Sequence, residues 1–229
     1  MGEGRPATVL LSGAGMDVDS WFKVLPEIAS SGTVIAVDRL GVGMSDKPTE
    51  PQTGEVIVAA LRALLGQAGV APPYVLVGHS LGGLHVELFA RRHPDEVGGV
   101  VLIEAASPDE ASDPPSQSGL ARLLDSVVGG IDRLRGRSRG FDEVDNVRDS
   151  VGQIRAAPPF PDVPLVVVTG GKRMRLVPEA AFETHQEAQR ERAALSPQGR
   201  QVIALKSGHF PQLQEPDVVV AAIREVRAR

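Results

Sequence analysis

Six short apolar runs recur along the chain, at Thr8–Leu11, Thr33–Val37, Tyr74–Val77, Val100–Ile103, Leu165–Val168 and Val202–Leu205. None alternates with polar residues as a strand with one wet face would, so each is expected to be a strand covered on both sides. Between most of them lie stretches with helical spacing: Ser20–Ala29, Gly54–Ala68, Leu81–Arg92, Pro178–Leu195 and Pro216–Arg227. The last two open with proline near the first turn, where its missing N–H is tolerated. The alternation predicts an α/β fold of three layers, with a mostly parallel sheet of about six strands.

The alternation breaks between Ala106 and Asp162. Here the chain runs through Ser107, Pro108, Asp113, Pro114 and Pro115 into two weakly amphipathic pieces, Leu120–Leu134 and Phe141–Ala156. The expected organisation is one domain, 1–229, carrying a small helical insert over 107–161. The basic cluster Arg135, Arg137 and Arg139 has Asp132, Asp142, Glu143 and Asp145 beside it and reads as a solvated loop.

Composition narrows the class of partner. Net charge is -5 and the eight aromatics (Phe 6, Trp 1, Tyr 1) leave little for base stacking, so no nucleic acid is expected. There is no cysteine, which removes thiol nucleophiles and thiolate metal sites. No apolar stretch reaches the length of a membrane span. The short apolar run after Met1–Ala7 is too brief for a signal-peptide core, so a cytoplasmic location is expected. Oligomeric state is not legible.

The strongest chemical signal is Gly78-His79-Ser80-Leu81-Gly82, followed by Gly83. With Gly at 25 of 229 positions and fifteen serines, roughly 0.2 such matches arise by chance, so the context decides. That context is an apolar strand ending at Gly78 and a helix beginning after Ser80. A sharp strand-to-helix turn crowds its neighbours, admits only glycine beside it and leaves the serine oxygen exposed at the sheet edge. Ser80 is therefore the candidate nucleophile, and it needs a base. His209, in Ser207-Gly208-His209-Phe210-Pro211, lies just past the strand Val202–Leu205, at the sheet end where parallel sheets place their catalytic groups. His79, on the turn itself, His85 and His93, on or at the end of the next helix, and His185, in a helix rich in Gln, Glu and Arg, read as surface or packing histidines.

Over nearly its whole length the chain resembles the α/β-hydrolase family, in the order Ser, acid, His. Besides the serine turn and the Gly-His near the C-terminus, Leu11-Ser12-Gly13-Ala14-Gly15 is similar to the family's His-Gly oxyanion segment, with Ser12 in place of the His. Asp38-Arg39-Leu40-Gly41-Val42-Gly43-Met44-Ser45 is similar to its Asp-x-x-Gly-x-Gly-x-Ser loop. The resemblance implies an oxyanion hole made of the Ala14 and Leu81 backbone N–H groups, Gly15 being an alternative donor, and no cofactor or metal. It also implies that the insert is the family's cap, with Leu120, Leu123, Leu124, Val127, Val128, Val144 and Ile154 either roofing an apolar pocket or packing the cap itself. The family's N-terminal hairpin is missing, so one sheet edge is expected to be exposed.

The acid departs from the usual pattern. Aligning on Val177-Pro178 puts Met174 where the family usually has an Asp, with Lys172, Arg173 and Arg175 around it. Some branches carry the acid one strand earlier, and here that strand ends at Glu104, which becomes the candidate, with Asp109 or Glu110 as alternatives and Asp38 behind them. The expectation is a serine hydrolase acting on a small-molecule acyl substrate through an acyl-enzyme. The substrate would be a carboxylic ester of short to medium acyl length, a lactone or a thioester; carbon–carbon bond hydrolysis or acyl transfer would use the same residues. The alternative is a non-catalytic ligand-binding or scaffold protein on the same fold.

Overall fold

A computed structural model describes residues 4–112, 142–173 and 177–229. All six expected strands form: β1 (Ala7–Leu11), β2 (Val34–Val37), β3 (Tyr74–His79), β4 (Val97–Ile103), β5 (Leu165–Gly170) and β6 (Gly199–Ala204). They lie in the order β2-β1-β3-β4-β5-β6, and every neighbouring pair is parallel. The chain goes outward from β1 to β2, then crosses back to β3, so the order reverses between β1 and β3. The carboxyl ends of those two strands frame the crevice where open parallel sheets bind ligands.

The uninterrupted apolar runs of β1, β3, β4 and β5 follow from burial on both faces. The edge strands β2 and β6, expected to be covered in the same way, are only partly buried, with Ile203 and Leu205 exposed. Val9, Leu11, Leu76, Val100, Leu102, Leu165 and Val167 pack to one side, with α2 (Gly54–Gln67), α3 (Leu81–Arg92) and the end of α6 (Glu179–Ala193). Their neighbours Leu10, Val75, Val77, Val101, Ile103, Val166 and Val168 pack to the other, with α1 (Leu25–Ala29) and α8 (Pro216–Arg227). Each such side chain withdrawn from water contributes roughly 1.5–3 kcal/mol. Three further helices complete the described chain: α4 (Pro108–Ser112), α5 (Val147–Arg155) and α7 (Pro211–Gln214). None of the described helices is long and apolar enough to cross a membrane.

Several boundaries differ from the sequence reading, among them β6, which starts three residues ahead of its apolar run. The helix expected over Ser20–Ala29 is a 3-10 turn at Val18–Trp21 followed by α1, because Pro26 has no N–H and fits only the first turn of a helix, which therefore starts afresh at Leu25. Strand β4 begins at Val97, ahead of the apolar run, with Gly98 and Gly99 inside it. A Cβ on Gly99 would stand 2.3 Å from Val226 Cγ1, so glycine there lets α8 approach the sheet. Finally, α4 forms in a stretch where the sequence reading placed no helix. The Glu110 N–H donates to Ser107 Oγ at 3.1 Å and the Ser107 N–H to Glu110 Oε2 at 3.4 Å, a capping box written in the sequence as Ser-Pro-Asp-Glu. The piece Leu120–Leu134, the basic cluster after it, and Met174 and Arg175 lie outside the described residues; the piece expected over Phe141–Ala156 contains α5.

Candidate active site

Ser80 sits between β3 and α3 with φ 51° and ψ -120°. Its backbone is gripped from the next strand: the Ser80 N–H donates to Ile103 O at 3.1 Å, and the Ala106 N–H donates to Ser80 O at 3.0 Å. The glycines around it are required by contact. A Cβ on Gly78 would lie 2.6 Å from Gly82 O, one on Gly82 2.5 Å from Leu11 O and Ser12 O, and one on Gly83 2.3 Å from Ala105 Cβ. The turn is thus wedged between β1 and the end of β4, and the strained serine is held by what surrounds it.

The other non-glycine residue with positive φ among the described residues is Glu104, at 46°, immediately after β4. Its Oε1 accepts the Gly170 N–H at 2.7 Å and its Oε2 lies 3.1 Å from His209 Nδ1, with both side chains buried. The sequence-predicted base and acid therefore meet. His79 Nε2 donates to His209 O at 2.8 Å, and the two rings lie 5.0 Å apart. Burial, and then the nearness of His209, push the His79 ring down to about 3, so it is a neutral packing group, as its sequence position implied. Among the described residues Ser80 Oγ has no hydrogen-bond partner; such contacts often tighten only with substrate present.

Sequence reasoning missed His185. It projects from α6 with Nε2 3.2 Å from Glu104 Oε2 and Nδ1 2.7 Å from Glu110 Oε1, so Glu104 serves two histidines. Burial alone would lower the His185 ring, but the two carboxylates push it up to about 10. Burial alone would likewise raise Glu104, but hydrogen bonds from His185 and then His209 hold it well below the ordinary carboxylate range. The carboxylate that faces His209 is therefore that of Glu104, already paired on the same oxygen with the charged His185 ring. The signal that could have found His185 was the Ser107–Glu110 capping box, which fixes a buried carboxylate in need of a partner.

Of the alternative acids, Glu110 belongs to this network through His185, not through His209. Asp109 pairs with Arg155 at 2.6 Å, both exposed. Asp38 accepts the Val18 N–H at 2.8 Å and the Met44 N–H at 3.3 Å, which ties the loop after β2 to the 3-10 turn at Val18–Trp21. On the β1 side, Gly13 packs against the serine: a Cβ there would come 3.2 Å from Ser80 Cβ and 2.9 Å from His79 Nδ1. Ala14 and Leu81 are both buried, and the first N–H of a helix such as that of Leu81 has no partner within it. The Ala14 N–H is likewise unengaged among the described residues. Among the described residues no group of three or more His, Asp or Glu side chains is arranged to hold a metal.

A sequence profile described as the alpha/beta hydrolase fold matches residues 6–164, more than half of the chain. The chain belongs to the α/β-hydrolase fold family. The Bacillus subtilis protein YqjL is 26% identical over 220 residues, covering 95% of this chain and 82% of its own length. A Schizosaccharomyces pombe protein, C23C11.06c, is 37% identical over 118 residues, which span 49% of this chain and 22% of that much longer protein. Among solved structures, the enol-lactonase from Burkholderia xenovorans LB400 superposes with a TM-score of 0.69 at 21% identity, covering 100% of this chain and 95% of its own. That likeness is one of fold.

Against the α/β-hydrolase pattern two departures gain a physical meaning. Ser12 stands where the family has His and acts as a hub: its Oγ accepts from Trp21 Nε1 at 2.8 Å and lies 2.9 Å from Ser20 Oγ and 3.0 Å from Asp17 O. It thereby pins the start of the loop that contains Gly13 and Ala14. The other departure is the Glu104 carboxylate at the end of β4, anchored to β5 through Gly170.

Proposed function

We propose that this protein is a serine hydrolase cleaving a carboxylic ester of short to medium acyl length, or a lactone or thioester, through an acyl-enzyme. The observation that carries the reading is the 3.1 Å contact between Glu104 Oε2 and His209 Nδ1. A carboxylate on Nδ1 fixes the tautomer that leaves Nε2 unprotonated, the form needed to take a proton from a serine. Ser80 Oγ then attacks the acyl carbon while its proton passes to His209 Nε2. The carbonyl electron pair moves onto oxygen, where the Ala14 and Leu81 N–H groups are the donors in reach of the β1–β3 crevice. Collapse expels the alkoxide, which takes the proton from His209. Water, giving its proton to His209, then attacks the acyl-Ser80 carbonyl, and collapse releases the carboxylic acid while His209 returns the proton to Ser80 Oγ. Glu104 opposes the imidazolium charge that appears in both halves.

The connection between β4 and β5, 107–161, acts in this reading as a small cap over the site, with Val144 and Ile154 on its apolar side. The test is intact mass after exposure to a fluorophosphonate. A single phosphonyl adduct on wild type, absent from Ser80→Ala, is expected, followed by turnover of p-nitrophenyl esters of graded acyl length. A wild type that takes no adduct would sink the reading in favour of a ligand-binding protein on the same fold.

A further inference from the structure

Arg39 lies in the loop after β2 and is buried, yet it is held by groups from two distant parts of the chain. Its Nε and Nη2 donate to Glu143 Oε2 and Oε1 at 2.5 and 2.8 Å, and Nη2 also donates to Gly13 O at 3.0 Å. Glu143, from the connection between β4 and β5, is buried too, and its Oε2 stands 3.4 Å from Nε2 of His85 on α3. Burial lowers the His85 ring, leaving it neutral, and the Arg39 charge overrides burial to hold the Glu143 carboxyl down at about 2. The cluster is therefore one cation against one anion, both out of water. A buried pair of this kind seldom stabilises a fold better than apolar side chains of the same volume would, so its presence calls for a geometric purpose.

The purpose follows from the peptide plane. The Gly13–Ala14 bond is trans, as are all the described peptide bonds except Arg5–Pro6 and Pro72–Pro73. In a trans peptide the C=O and the following N–H lie in one plane and point in opposite directions. A guanidinium on Gly13 O therefore fixes the direction of the Ala14 N–H, on the other side of the same plane. The Met16 N–H, which also donates to Gly13 O at 3.2 Å, closes the turn but cannot alone hold the turn's orientation against the serine.

We propose that Arg39 is a positioning residue that aims the Ala14 N–H at the oxyanion, and that Glu143 orients Arg39, so that seating of the β4–β5 connection and competence of the oxyanion hole are coupled. The inference rests on the serine-hydrolase reading above. It deepens that reading by giving the connection a part in the chemistry besides covering the site.

The test compares wild type, Glu143→Gln, Arg39→Met, and the double variant Arg39→Met with Glu143→Leu, which removes both charges and leaves no buried ion unpaired. Fluorophosphonate labelling of wild type comes first; no adduct there overturns the hydrolase reading and this proposal together. With an adduct in hand, kcat on a short p-nitrophenyl ester is expected to fall about 10- to 100-fold in the double variant, with KM within about threefold, since the lost interaction belongs to the transition state. Affinity for a boronic acid, whose serine adduct places an anionic oxygen in the hole, should fall in the same proportion, while the thermal midpoint tracks folding separately. Glu143→Gln should show the same split more weakly, and Arg39→Met alone should be no less impaired than the double variant. Folded variants with wild-type kcat and boronate affinity, or a loss confined to KM, would overturn the coupling and leave the hydrolase reading intact. Should Arg39→Met not fold, the double variant and Glu143→Gln decide by the same readouts.

Discussion

Glu104 Oε2 and His209 Nδ1 meet at 3.1 Å across 105 residues of chain. The relationship is made by the sheet: Glu104 leaves the end of β4, His209 leaves the turn after β6, and β5 lies between them. The carboxylate reaches across because the left-handed backbone at Glu104 turns it over the end of β5, where Gly170 donates to its second oxygen. A side chain one methylene shorter could not keep both contacts.

Replacing this group should cost rate far more than binding. In Glu104→Gln the amide no longer opposes an imidazolium, and kcat for ester turnover should fall about 10²- to 10⁴-fold with a small change in KM. Glu104→Asp should be impaired as well, because reach is lost although charge is kept. Steady-state kinetics on a p-nitrophenyl ester checks both; a Glu104→Gln enzyme with wild-type kcat would remove Glu104 from the mechanism.

The sequence was most legible where backbone crowding dictates residue type. Gly78 is compelled by contact with Gly82 and Gly83, Gly82 by Leu11 and Ser12, and Gly83 by Ala105, so the serine turn announced itself. The central strands were equally plain, since burial on both faces leaves unbroken apolar runs; β6, at the sheet edge and only partly buried, begins at Gly199, ahead of its apolar run. His185 was passed over because its neighbours Thr184, Gln186 and Glu187 read as an ordinary wet helix, while the two carboxylates it meets come from the end of β4 and from α4, more than seventy residues earlier. Glu143 was read as one more charge in a solvated stretch, since nothing local shows that Arg39, more than a hundred residues earlier, is buried beside it.

The wedge at Gly83 makes a sharp prediction. An added methyl would meet Ala105 Cβ at 2.3 Å, on a backbone already fixed by Ser80 and Ile103, so neither side can yield cheaply. Gly83→Ala should destabilise the fold by about 1–3 kcal/mol and slow fluorophosphonate labelling. Gly66→Ala, whose added methyl meets nothing within 4 Å on the exposed face of α2, should do neither. Urea unfolding of the two variants side by side checks the contrast.

Trp21 is the single tryptophan, fully buried with its indole N–H on Ser12, and so reports on unfolding of the β1 side of the site. Leu102, in the middle of β4, is also fully buried, and its truncation opens a cavity beneath α3. Leu102→Ala should lower stability by about 2–5 kcal/mol, with Trp21 fluorescence and far-ultraviolet circular dichroism shifting together. Separate transitions would show that the two faces of the sheet unfold independently.

His185, paired with Glu104 and Glu110, gives stability a particular pH dependence. His185 holds its proton up to about 10 in the folded state and, by its reference value, to about 6.5 when unfolded. A group whose pKa is raised by folding stabilises fully below its unfolded value and loses that contribution as pH rises toward the folded one. Glu104 works in the opposite sense: its pKa is depressed by folding, so its contribution is present above the ordinary carboxylate range and is lost only on acidification. Between pH 6.5 and 10 the changing term is therefore His185. The stability gap between wild type and His185→Gln, read from denaturant midpoints, should be widest near pH 6 and narrow steadily toward pH 10. A gap that stays constant over that range would mean that His185 is neutral in the folded protein.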